Sequence, residues 1–221
     1  MKVFKEVSLA DSLTILNALF GFSAIIYTVL HGIRTEIFAL FYFSTFADGL
    51  DGFIAKKTEK SPFGKELDSL ADSISFGVFP AVLLVVFNSN LFPFASLLVA
   101  FSILRLARFN VLSFTDFYGL PTLVTALIVT SLIRIEMDYY ILASVTSLLS
   151  ILMVSDVVYP RVGDAMTFGI IGAVLVSSIF FVEMCYVILT LTGIYVVYPL
   201  VREVMWKWRE KRLKKQLLRQ E

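Results

Sequence analysis

The chain has 221 residues, 58% of them hydrophobic and 17% charged, with a mean hydropathy of +0.84. Soluble domains average about 45–50% apolar and about 25% charged residues, so the composition excludes an ordinary soluble domain and points to an integral membrane protein. A net charge of +1 gives no basic footprint for nucleic acid. The single cysteine, Cys185, and single histidine, His31, rule out an internal disulfide and give no support to a Cys/His zinc site or a Ser-His-Asp triad.

Apolar runs of about 17 to 25 residues can cross a hydrocarbon core of about 30 Å at about 1.5 Å per residue. Eight runs follow in chain order, near 12–30, 35–56, 66–88, 92–110, 120–135, 138–154, 165–182 and 184–203. An all-α protein of about eight transmembrane helices is expected. The breaks carry turn chemistry at His31-Gly32, Ser61-Pro62-Phe63-Gly64, Asn88-Ser89-Asn90, Tyr118-Gly119-Leu120-Pro121 and Tyr159-Pro160 through Gly163. The first run contains Thr14 and Asn17 and precedes no A-x-A-like cleavage site, so it reads as a retained helix rather than a signal peptide. With eight spans and a cytoplasmic N-terminus, every Lys and Arg except Arg34 and Arg134 falls on the inner face, where positive charge concentrates. Residues 206–221, WKWREKRLKKQLLRQE, read as a basic cytoplasmic tail, either resting on anionic headgroups or binding a partner.

The stretch from residue 48 to 72, DGLDGFIAKKTEKSPFGKELDSLAD, concentrates acid where two apolar runs meet water. Asp48 and Asp51 are three apart near the end of the second run, and Asp68 and Asp72 are four apart at the start of the third. Each pair therefore shares a helical face. An antiparallel hairpin turns the two faces toward one volume, and four converging carboxylates need positive charge to offset their repulsion. Oxygen-only donors select hard divalent cations, Mg²⁺ or Mn²⁺. Gly49, Gly52 and Gly64 allow close approach of a ligand or of a neighbouring helix. Lys56, Lys57, Lys60 and Lys65 suit either a bound polyphosphate or the inner-face charge rule.

The order Asp48-x-x-Asp51-Gly52-x-x-Ala55-Lys56, then Gly64-x-x-x-Asp68-x-x-x-Asp72, resembles the D-x-x-D-G-x-x-A-R-x8-G-x3-D-x3-D signature of the CDP-alcohol phosphotransferases. Two departures stand out. Lys56 replaces the family's arginine, keeping the charge but losing the bidentate fork, and the spacer from Lys57 to Phe63 is one residue shorter. The resemblance implies a single transmembrane catalytic domain over residues 1–205, its first six helices forming the family core. It also implies a pair of Mg²⁺ or Mn²⁺ ions on Asp48, Asp51, Asp68 and Asp72, with Asp72 also the general base. Thr14, Asn17, Gly52, Ala55, Lys56, Gly64 and Lys65 would face the CDP-lipid, and the protein would be a homodimer; the charge distribution, for its part, puts the active site and both termini on the cytoplasmic side of the cell membrane.

ELDSLADSISFGVFPA (Glu66 to Ala81), LRLARFN (Leu104 to Asn110) and GLPT (Gly119 to Thr122) resemble the phosphatidylserine synthase branch. That resemblance implies transfer of a phosphatidyl or archaetidyl group from a CDP-lipid to L-serine with release of CMP. Arg105 and Arg108, with Asn110, can supply the donors that a serine carboxylate requires. The same arginines suit a phosphorylated polyol, or mere anchoring of the helix end, and ethanolamine or choline are other acceptors of the class. A cation or proton transporter is the rival from a different class, although transporters place acids near the bilayer midplane and carry internal repeats, which this chain lacks. Asp116 and Asp156 are left unassigned, and Glu136, Asp138 and Glu183 read as solvated turn residues.

Overall fold

The computed structural model describes residues 6–55, 61–111, 117–160 and 165–217. Each of the eight apolar runs is a helix: α1 (Leu9–His31), α2 (Thr35–Ala55), α3 (Gly64–Phe87), α4 (Phe92–Val111), α5 (Thr122–Arg134), α6 (Tyr139–Met153), α7 (Ala165–Phe180) and α8 (Met184–Leu217). Helix α1 starts on a capping box, in which Ser8 Oγ accepts from the Asp11 N–H at 3.1 Å and Asp11 Oδ2 accepts from the Ser8 N–H at 2.7 Å. Asp138, read from sequence as a solvated turn residue, caps α6 by accepting from the N–H groups of Tyr140 and Ile141.

The fold differs from expectation in three ways. Five helices are long and apolar enough to cross a membrane, whereas α5, α6 and α7 are shorter, at 13, 15 and 16 residues. The basic tail does not begin a new element, because α8 runs unbroken from Met184 to Leu217. Lysine and arginine are good helix formers, so the change from apolar to basic sequence alters the surroundings of the helix without ending it. A two-residue antiparallel ladder, β1 (Phe117–Tyr118) with β2 (Val158–Tyr159), ties the chain beyond α4 to the chain beyond α6.

Packing inverts the pattern of a soluble helix. The buried positions of α1 are Ala10, Asp11, Thr14, Asn17, Gly21, Ala24 and Thr28, a stripe of small and polar residues, while Leu19, Phe22, Val29 and Leu30 are exposed. Lipid solvates apolar side chains as well as a protein core does, so helices associate through small residues that permit close approach and polar residues that bond across the interface. Along this stripe α1 lies against both α2 and α3. Ser44 of α2 donates to Asn17 Oδ1 at 2.6 Å, and Ser75 of α3 donates to the Asn17 carbonyl at 3.1 Å. At Gly21 an added Cβ would come within 2.8 Å of Ser75 Cα. Beyond the stripe, Phe41 stacks on Phe79 at 5.2 Å and meets the edge of Phe76 at 6.2 Å, in a core that also takes in α5.

Helix α3 contains a π-helical turn, Ser73–Val78, directly after Asp72. One widened turn shifts the register between the acidic start of the helix and its apolar remainder, so that both can face inward.

Candidate active site

Asp48 and Asp51 close α2, and Asp68 and Asp72 open α3. Carboxylate oxygens of Asp48, Asp68 and Asp72 lie within 4.8 Å of one another. Carboxylates this close repel unless a cation or a proton intervenes. One oxygen of this group, Asp72 Oδ1, is buried without a hydrogen-bond partner among the described residues, and a buried unpaired carboxylate oxygen is costly. An all-oxygen donor set, half-buried at the end of a hairpin and with one oxygen open, fits a hard divalent cation.

Asp51 is turned slightly away from the three. It is 5% exposed and its Oδ2 accepts from Thr14 Oγ1 at 2.5 Å, yet its charge still acts on Asp48, Asp68 and Asp72. Thr14 therefore touches the acidic cluster directly. Asn17 is fully buried: its side-chain oxygen is taken by Ser44 and its Nδ2 has no partner among the described residues. Gly52 and Ala55 are exposed on the last turns of α2, and a Cβ added at Gly52 would meet nothing within 4 Å. A Cβ added at Gly64 would make only ordinary contact with Asp11 Oδ1, at 3.6 Å. Lys65 reaches across to α4, donating to the Asn110 carbonyl at 2.8 Å with its ammonium 5.3 Å from the Phe109 ring centroid. Lys56 lies outside the described residues.

Arg105, Arg108 and Asn110 share the end of α4 but have different surroundings. Arg105 is 7% exposed, bonds Thr122 Oγ1 at 3.4 Å and acts electrostatically on Asp68 and Asp72. Arg108 points to the turn after α6, donating to the carbonyls of Val154 at 3.2 Å and Ser155 at 2.9 Å and pairing with Asp156 at 3.4 Å. Asn110 accepts from Ser69 Oγ at 3.0 Å, so its side chain braces α3. Three neighbours are absent from the sequence-based site. Asp11 is detectable as the fourth residue of a Ser8-x-x-Asp11 capping pattern. Thr122 and Asp156 gain their roles only through contacts 17 and 48 residues away in sequence.

The GLPT segment acquires a physical meaning here. Gly119 has φ +81°, and a Cβ there would press into the Met153 carbonyl, its carbon at 2.9 Å. That close approach seats Leu120, whose N–H bonds the Leu152 carbonyl at 3.0 Å, and starts α5 so that Thr122 meets Arg105.

A family model of CDP-alcohol phosphatidyltransferases matches residues 7–196. The chain belongs to this family. The matched region takes in the acidic cluster, Thr14 and the end of α4. The chain is 34% identical over 203 residues to a CDP-diacylglycerol–serine O-phosphatidyltransferase of Methanocaldococcus jannaschii, covering 90% of this chain and 96% of that one. It is 36% identical over 171 residues to an archaetidylserine synthase of Methanothermobacter thermautotrophicus, 73% of either chain. A serine O-phosphatidyltransferase of Helicobacter pylori is 32% identical over 180 residues, 72% of this chain and 76% of its own. Membership makes the chain an enzyme, and its apolar helices fit a multi-pass membrane protein.

Proposed function

We propose that this protein transfers a phosphatidyl or archaetidyl group from a CDP-lipid to L-serine, releasing CMP. The observation that carries the reading is the cluster of Asp48, Asp68 and Asp72, with Asp51 and Thr14 beside it, at the end of a membrane hairpin. Serine as acceptor draws its support from the relatives' names and from Arg105 buried next to that cluster. Asp48, Asp51, Asp68 and Asp72 would hold two divalent cations, Mg²⁺ or Mn²⁺, which when bound would offset the charge of the pyrophosphate.

The chain's own residues then have separable tasks. Thr14 fixes the rotamer of Asp51, and Gly52, Ala55, Gly64 and Lys65 border the nucleotide. Asp72 accepts the proton of the serine hydroxyl as that oxygen forms its bond to the lipid phosphorus. The bond from this phosphorus to the CMP oxygen breaks, and CMP leaves with the electron pair. The concentration of Lys and Arg on one side of the sequence-derived topology favours a cell-membrane enzyme with termini and active site cytoplasmic, and a homodimer is the expected assembly. An acceptor panel tests the reading: purified protein with CDP-diacylglycerol and Mn²⁺ should release CMP on addition of serine. Release with glycerol phosphate, inositol phosphate, ethanolamine or choline but not serine would transfer the protein to another branch. Chelation with EDTA should abolish release.

A further inference from the structure

At the end of α4, two of the three polar residues are firmly held by other elements. The Arg108 guanidinium is committed to the Val154 and Ser155 carbonyls and to Asp156, and the Asn110 side-chain oxygen to Ser69. Arg105 is not. It is 7% exposed; among the described residues its one hydrogen bond, to Thr122, is long, and its buried Nε has no partner. A guanidinium carries five donors and never loses its charge in a protein; Asp68 and Asp72 act on that charge without a described hydrogen bond to it, so its open donors can still take an anion.

A second orphan lies nearby. Tyr159, from β2, is 1% exposed, and its hydroxyl has no partner among the described residues. Both orphans border one residue of α8: the Tyr195 ring stacks on Tyr159 at 5.6 Å and 26°, and the Tyr195 phenol acts electrostatically on Arg105. Tyr195 is itself satisfied, donating to the Pro160 carbonyl at 2.9 Å. Tyr159 is held from two other directions, by the β1–β2 ladder opposite Phe117 and by Arg108 gripping the turn that leads into β2. Glu203 of α8 also acts electrostatically on the Tyr159 phenol.

We infer that Arg105 and Tyr159 are the two fixed contacts to the acceptor: Arg105 binds its carboxylate and Tyr159 bonds its amino end, while Arg108 ties down the turn and touches no substrate. A cationic donor for a carboxylate and a phenol oxygen for an ammonium together suit a small zwitterionic amino acid. This deepens the serine reading given above and rests on it.

The test uses the full-length protein in nanodiscs with CDP-diacylglycerol and Mn²⁺, following CMP release against serine and against CDP-lipid. Tyr159→Phe should raise the serine KM about tenfold with the CDP-lipid KM and Tm unchanged. Arg105→Gln should lower kcat/KM for serine at least a hundredfold while CDP-lipid binding persists, and Arg105→Lys should restore part of it. Discrimination between serine and ethanolamine, which lacks the carboxylate, should collapse in Arg105→Gln. Arg108→Gln should lower Tm and weaken both substrates alike. An unchanged serine KM in Tyr159→Phe overturns the inference, as does a serine-selective loss in Arg108→Gln at unchanged Tm. A wild-type protein that releases CMP only with another acceptor overturns the serine reading instead. The Arg105 and Tyr159 variants are then assayed with that acceptor: selective KM increases uphold the two contacts, and their absence overturns these as well.

Discussion

Asp72 joins two properties that are usually kept apart. It belongs to a group of carboxylates close enough to share an ion, and it keeps one buried oxygen without a donor among the described residues. Replacing it with asparagine preserves shape and hydrogen-bonding capacity but removes the proton-accepting charge. Asp72→Asn should therefore lower CMP release by about 10²–10⁴-fold, the usual worth of a positioned general base, with a much smaller change in CDP-lipid binding. Turnover assays beside an equilibrium lipid-binding measurement separate the two, and unaltered turnover would remove the role. The acids themselves are legible in the sequence because the period of a helix places residues three and four apart on one face. The division of labour between Arg105 and Arg108 is not legible. They lie three positions apart, and what distinguishes them is a pair of carbonyls 46 and 47 residues further along.

At the scale of the element, two glycines that look alike in sequence have opposite grounds. Gly21 is demanded by the protein, since an added Cβ would run into the backbone of Ser75 in the π-helical turn of α3. Gly52 is demanded by nothing among the described residues: it is exposed and open to 4 Å, although glycine within a helix costs about 1 kcal/mol relative to alanine. Gly21→Ala should destabilise the fold by about 1–3 kcal/mol, by overpacking α1 against α3. Gly52→Ala should leave Tm unchanged or slightly raised while increasing the CDP-lipid KM. Thermal unfolding and kinetics on both variants check the pair, and an unaltered CDP-lipid KM in Gly52→Ala would place the ligand elsewhere. Apolar runs and turn residues announce the helices and their order to within a few residues. The π-helical turn has no such signature, because it depends on how α3 meets α1 and α4 rather than on the local composition SISFGV. The length of α8 escapes notice for a simpler reason: hydropathy detects where lipid ends, and a helix rich in Lys and Arg continues past that point.

For the whole molecule, three carboxylates crowded at the mouth of a hairpin mean that the protein without cations holds uncompensated repulsion between α2 and α3. A cation bound only by the folded state adds stability as RT ln(1 + [L]/Kd), about 2.7 kcal/mol at a hundredfold excess over Kd. Mn²⁺ should raise the Tm of the purified protein by several degrees, and the rise should vanish in an Asp48→Asn, Asp68→Asn double variant. Persistence of the full shift in that variant would locate the cation away from the cluster. The same measurement needs no turnover, so it reports on the ions independently of which alcohol is the acceptor.

The brevity of α5, α6 and α7 has a bearing on the bilayer itself. At about 1.5 Å per residue, helices of 13 to 16 residues reach only about 20–24 Å, less than the roughly 30 Å of an average hydrocarbon layer. Helices α6 and α7 turn Leu148, Ile151, Ile170 and Val176 outward, so the acyl chains on that flank must shorten or splay to meet them. Such thinning draws the phosphate headgroups beside these helices closer to the bilayer midplane. Turnover measured in nanodiscs of graded acyl length should then decline as the lipid becomes longer, with the thinnest bilayers the most permissive.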